Sequence, residues 1–84
     1  MGTEIKEPIQ VGAVFDRGVV SPRWFLWGGR RYSVARVTMR WQTREGAETI
    51  LHLGVTDGTS LFELTLNQKT LAWRLASVEA EGCE

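Results

Sequence analysis

This sequence is poor in the residues on which most enzyme chemistry rests. Among its 84 residues stand one cysteine, Cys83, and one histidine, His52. One cysteine excludes an intrachain disulfide, and a single Cys-His couple excludes a structural zinc site, which takes four such ligands. Long apolar runs are missing too. Val19-Val20 and Trp24-Phe25-Leu26-Trp27 are the densest, far short of the ~18 residues of a membrane-spanning helix. The first residues lack the charged, apolar and small-residue order of a signal peptide, so the expected location is cytoplasmic, with no membrane partner. Acids are absent from residues 17–44, which leaves the middle of the chain strongly basic.

What is present is ordinary globular material, 43% hydrophobic and 24% charged, which argues against disorder. The length fits one domain, residues 1–84, with 1–8 and 79–84 expected to fray. The formal net charge is zero, but the charge is unevenly laid along the chain. Residues 17–44 hold seven of the eight arginines, whereas residues 45–84 hold seven acids against Lys69 and Arg74. Such a division predicts a positive face beside a negative one.

Turn signals recur at Gly28-Gly29, Glu45-Gly46 and Asp57-Gly58. Glycine supplies the positive φ that tight hairpin turns need. Between these signals apolar and polar residues alternate. Residues 9–15 read as a first strand, 23–27 as a second entered through Ser21-Pro22, and 32–41 as a third. In the third, Tyr32 and Val34 are out of phase with Val37, Met39 and Trp41, so a β-bulge is expected at Ala35-Arg36. Residues 49–55 and 59–66 follow as strands, and Gly12 and Gly54 inside strand patterns mark bends or close approaches. Residues 67–78 fit a helix capped by Asn67 and stopped by Gly82, or a strand with Leu71, Trp73 and Leu75 inward. The phase of Trp73 favours the strand. The expected fold is all-β: a five- to six-stranded antiparallel meander, either an SH3-like barrel or a strongly bent sheet.

No catalytic constellation follows from these residues. A Ser-His-acid triad would need His52, but no Gly-x-Ser-x-Gly elbow places a nucleophile. Flanked by Leu51 and Leu53, His52 is expected on the solvated side of its strand. Glu45, Glu48, Asp57 and Glu63 are scattered over turns and strand faces and offer no paired carboxylates. The chain is expected to be no enzyme and to need no cofactor or metal.

The most specific signal is the segment 22–34, Pro-Arg-Trp-Phe-Leu-Trp-Gly-Gly-Arg-Arg-Tyr-Ser-Val, followed by Val37 and Trp41. It resembles an uncharacterised family of small all-β proteins and C-terminal domains. The family's pattern is Pro-Arg-x-Phe-x-Trp-x-Gly-Arg-x-Tyr-x-Val, with a tryptophan ending the next strand. Phe25, Trp27, Gly29, Arg30, Tyr32 and Val34 hold those places, and Trp24 fills the variable place after Arg23. Phe62-Glu63-Leu64 and Trp73-Arg74-Leu75 look like the family's closing hairpin. Relatives are often encoded near translesion polymerases and DNA-damage genes. The resemblance therefore implies a DNA-repair association, and it implies no catalytic residue.

The residues themselves point to binding. Arginine pairs bidentately with phosphate, and aromatic rings offer π-faces to unpaired bases. The expected interface is an arginine face of Arg23, Arg30, Arg31, Arg36, Arg40 and Arg44, with Trp24 and Trp41 as its half-exposed aromatics. Arg36 and Arg40, four apart, are expected to project together from the face opposite Val37, Met39 and Trp41. DNA or RNA is the expected partner. The alternative is another protein, or a second copy in a homodimer, since tryptophan and arginine are enriched at protein interfaces as well.

Overall fold

The computed structural model describes residues 3–80, and throughout them the chain is all-β. The strands are β1 (Thr3–Pro8), β2 (Gln10–Asp16), β3 (Val19–Trp27), β4 (Arg30–Ser33), β5 (Arg36–Glu45), β6 (Glu48–Thr56), β7 (Ser60–Asn67) and β8 (Trp73–Ala80). They form a five-stranded sheet in the order β1-β8-β7-β6-β5 and a three-stranded sheet in the order β2-β3-β4. Every pairing is antiparallel, and the sheets do not close into a barrel. No helix among the described residues is long and apolar enough to cross a membrane.

Turn chemistry sets most of these boundaries. Gly28 and Gly29 both have positive φ, 61° and 76°, the backbone of the two-residue turn expected between β3 and β4. Arg17 and Gly18 adopt the same shape, at 53° and 81°. That turn starts β3 at Val19, earlier than the Ser21-Pro22 entry expected from the sequence. Pro22 instead stands buried inside β3 opposite Ala13, next to a register shift at which Arg23 is the extra residue. Proline is tolerated in strands at such bulges.

The run 32–41 is two strands rather than one. Val34 N donates to Arg23 O of the small sheet, and Ala35 N donates to Thr56 O of the large one. The chain thus changes sheets at Val34-Ala35, and the phase slip there is a crossing. The bulge itself lies further on, at Thr38, between the pairs Val37↔Val55 and Met39↔Gly54. A second corner forms at Ile9, whose N donates to Trp73 O as β1 passes into β2. Residues 3–8, expected to fray, pair with β8, and Glu79 and Ala80 belong to β8 itself. Gly82 and Cys83 lie outside the described residues.

The ambiguous segment is a turn followed by a strand. Asn67 Oδ1 accepts from Lys69 N and Thr70 N, and Asn67 N donates to Ala72 O. The asparagine therefore caps a loop that leads into β8. Strand β8 then supplies Leu75 to the core, directly opposite Leu64.

The core lies between the sheets. Val20 and Phe25 enter from the small sheet; Leu53, Val55, Phe62, Leu64, Leu66 and Leu75 enter from the large one. Phe25 stacks on Tyr32 at 5.1 Å across the hairpin and meets Phe62 edge-on at 5.0 Å across the interface. Such aromatic pairs contribute about 0.5–1.5 kcal/mol beyond area burial.

Candidate functional site

The residues nominated from the sequence divide between the two sheets. On β3, Phe25 points into the core, so Trp24 and Leu26 point outward. The register sets Trp24 beside Gly12 of β2 and Ser33 of β4, and Leu26 beside Gln10 and Arg31. The Trp24 indole lies against Gly12, where a Cβ would run into the ring. The Arg31 guanidinium lies over the same indole, 4.8 Å from its centroid. Arg23, the bulge residue, is exposed directly before Trp24. Arg30 lies over Tyr32 at 5.4 Å and acts electrostatically on Asp57.

This outer face runs through Gln10, Val14, Ser21, Trp24, Leu26 and Arg31 without a carboxylate; the nearest acid in register, Asp16, stands at the far hairpin end beside Arg17. A shallow depression of about 510 Å³ along Gln10, Leu26, Trp27, Gly28 and Gly29 continues the face. The structure thus brings Arg23, Trp24, Arg30 and Arg31 onto one small sheet.

The β5 residues do not form one face. Arg36 pairs with Thr56, and Val37 pairs with Val55 on the core side. Beyond the extra residue Thr38 the alternation inverts. Arg40 pairs with Leu53, a fully buried core residue, and so faces the small sheet. Its Nη1 donates to the Val20 carbonyl of β3 at 2.5 Å. Met39 and Trp41 turn to the opposite, outer face of the large sheet, where Met39 is 62% exposed. The expectation that Arg36 and Arg40 share a wet face opposite Val37, Met39 and Trp41 is therefore corrected: the bulge sets them on opposite faces. Arg44, opposite Thr49, is exposed near the β5–β6 turn on Arg40's side.

The outer face of the large sheet holds a second cluster. His52 is on that face, as its flanking leucines imply, but its side chain is only 16% exposed. Its Nδ1 lies 2.9 Å from Glu63 Oε2, and its Nε2 lies 2.8 Å from Thr43 Oγ1. The Trp41 ring stacks on the imidazole at 5.0 Å and 12°. With a proton on Nδ1 alone, the imidazole donates to Glu63 and accepts from the Thr43 hydroxyl; with both nitrogens protonated it donates to each. Both contacts survive in either state.

The order acid–imidazole–hydroxyl matches a hydrolytic triad, yet Thr43 stands on a regular strand rather than on the sharp turn that exposes a nucleophile. The cluster borders an open groove of about 720 Å³ across the sheet, lined among others by Lys6, His52, Glu63, Thr65, Arg74 and Ser77. Sequence reasoning placed His52 on the outward side of its strand but did not unite it with Trp41, Thr43 and Glu63. Alternation gives faces, whereas uniting β5, β6 and β7 requires their registers.

No group of three or more His, Cys, Asp or Glu among the described residues is placed to hold a metal ion. In comparison with known proteins, no family model, curated protein or solved structure matches the chain.

Proposed function

We propose that this chain is a non-enzymatic cytoplasmic β module that binds single-stranded nucleic acid across the outer face of its three-stranded sheet, in a DNA-repair accessory role. One observation carries the reading: Arg31 lies over Trp24 on a sheet face lacking carboxylates from Gln10 to Val14. The guanidinium pairs with phosphate and, in swinging off the indole to do so, opens that π-face to an unstacked base, the other face staying on Gly12. Arg23 extends the phosphate track, and Leu26 with the adjoining depression receives sugar or base. Arg30, on the opposite face of β4 over Tyr32, contributes longer-range attraction with Arg36 and Arg44. Arg40 is excluded from the interface by its bond to Val20, and Trp41 by its stack on His52. Formal neutrality keeps sequence-independent affinity modest.

The test is titration with single-stranded and duplex oligonucleotides at two salt concentrations. Arg31→Ala should weaken binding across all sequences and lower the salt slope by about one. Trp24→Ala should cost about 1–3 kcal/mol, the worth of one stacked base. Binding unchanged in both variants rejects the reading.

A second reading rests on the tip of the β2–β3 hairpin. Val14 and Val19 on its outer face and Phe15 on the opposite one are 44%, 48% and 61% exposed, an apolar tip suited to a protein partner or a second copy. A dimer in light scattering that Phe15→Ser dissolves would favour it.

A further inference from the structure

We propose that the groove on the outer face of the five-stranded sheet is a second binding site, for a small oxyanion such as a carboxylate or a phosphate monoester, held by Arg74 with Thr65 and Ser77. Trp41, His52, Thr65 and Arg74 are successive cross-strand partners on β5, β6, β7 and β8. They therefore share one face at steps of about 4.8 Å, which sets Arg74 roughly 10 Å from His52. Ser77 lies one row along, opposite Glu63. Arg74, Thr65 and Ser77 all line the groove. None of the three side chains makes a hydrogen bond or an ion pair with a described residue.

Unused donors in a concavity of about 720 Å³ are the composition of a small-ligand site, a few polar groups on a preformed surface. Their charge preference follows from the row in which Arg74 stands, Trp41, His52, Thr65, Arg74 and Pro8, which holds no acid. The acids lie outside that row: Glu63, engaged by His52 Nδ1, and Glu4 are the in-register partners of Ser77, and Glu45 stands at the β5 end of the groove. Arg74 and Thr65 thus offer a guanidinium and a hydroxyl to an anion, with the Ser77 hydroxyl one row along, and guanidinium suits the planar oxygens of carboxylate or phosphate.

His52 is a positioning residue here: its Nδ1 lies 2.9 Å from Glu63 Oε2 and its Nε2 2.8 Å from Thr43 Oγ1, which ties that carboxylate to β6, and Arg74 is the anchor.

The experiment is amide-resolved NMR titration of the full chain with inorganic phosphate and with citrate, using chloride as the control. Saturable shifts at Thr65, Arg74 and Ser77 with a millimolar Kd are expected. Phosphate alone, citrate alone or both will show which source of oxyanion is taken. Arg74→Gln should weaken binding at least tenfold, whereas Arg31→Ala should leave it unchanged, which separates this site from the proposed nucleic-acid face. If Arg74→Gln fails to fold, Thr65→Val with Ser77→Ala serves instead, and the same loss is expected. Absence of saturable shifts, shifts spread evenly over all arginine-bearing strands, or full binding by Arg74→Gln overturns the proposal.

Discussion

Gly12 decides where Trp24 lies, because any Cβ at that position would enter the indole. Gly12→Ala must lift the ring or push β2 away, at a cost of about 1–3 kcal/mol for overpacking. Its tryptophan emission should shift to the red, and its oligonucleotide affinity should fall as in Trp24→Ala. Unaltered stability and emission would mean that the indole does not lie on that glycine. Asp57 acts through charge. Burial pushes its pKa up, but the backbone N–H groups of Ser60, Thr59 and Asp57 itself, with the Arg30 guanidinium, hold the carboxyl below its ordinary value near 3.8. A depressed carboxylate pKa means that the unfolded chain binds the proton more readily than the native one. The contribution is therefore complete above pH 3.8 and is lost as the pH falls through the lower folded value. Urea unfolding against pH should show this acid-side loss, and Asp57→Asn should flatten it. An identical acid limb in Asp57→Asn would remove Asp57 from the account.

At the scale of the element, β5 is a strand whose halves face different ways. The Arg40 side chain spans from the large sheet to the Val20 carbonyl, whereas Arg36 lies before the bulge without an ion pair among the described residues. Arg40→Ala should destabilise by about 1–2 kcal/mol, in the range of a hydrogen bond made by a charged donor. Arg36→Ala should stay within about 0.5 kcal/mol, as exposed substitutions do. Chemical denaturation of the two variants decides the matter, and equal losses would contradict the inverted alternation. The bulge was only half legible in the sequence. Its partner Gly54 was marked as a close approach, and a Cβ there would meet Thr38 Oγ1 at 3.0 Å. Nothing in residues 36–41 themselves says which of them is extra, so the arginine face was drawn from an alternation that breaks at Thr38. Turns built on paired glycines were readable because positive φ demands them; the Arg17-Gly18 turn carried an arginine at its first position and was missed. The His52 cluster was hidden for another reason: its members come from three strands, and periodicity assigns a face without a neighbour.

At the scale of the whole molecule, two sheets share one core and are joined by two continuous corners, at Ile9 and at Val34-Ala35. Fewer strands were expected than the eight observed because the run 32–41 spans the second corner and covers both β4 and β5, and because β1 fell among the residues expected to fray. Since neither sheet encloses a core of its own, neither should persist without the other. Phe25 tests this, because its ring from the small sheet is fully buried against Phe62 of the large one. Phe25→Leu keeps the site apolar and should cost about 1–1.5 kcal/mol. Phe25→Ala should cost about 3–5 kcal/mol, a large share of the 5–15 kcal/mol that stabilises a domain. In Phe25→Leu, amide exchange should speed up equally in β3 and in β6–β7, and tryptophan emission and far-UV dichroism should give one coincident transition. A double mutant with Phe62→Leu should lose less than the two single losses together, by about 0.5–1.5 kcal/mol for the shared aromatic contact. Faster exchange confined to the small sheet, with the large sheet melting later, would show that the five-stranded sheet is a folding unit of its own and that the corners merely tether the second.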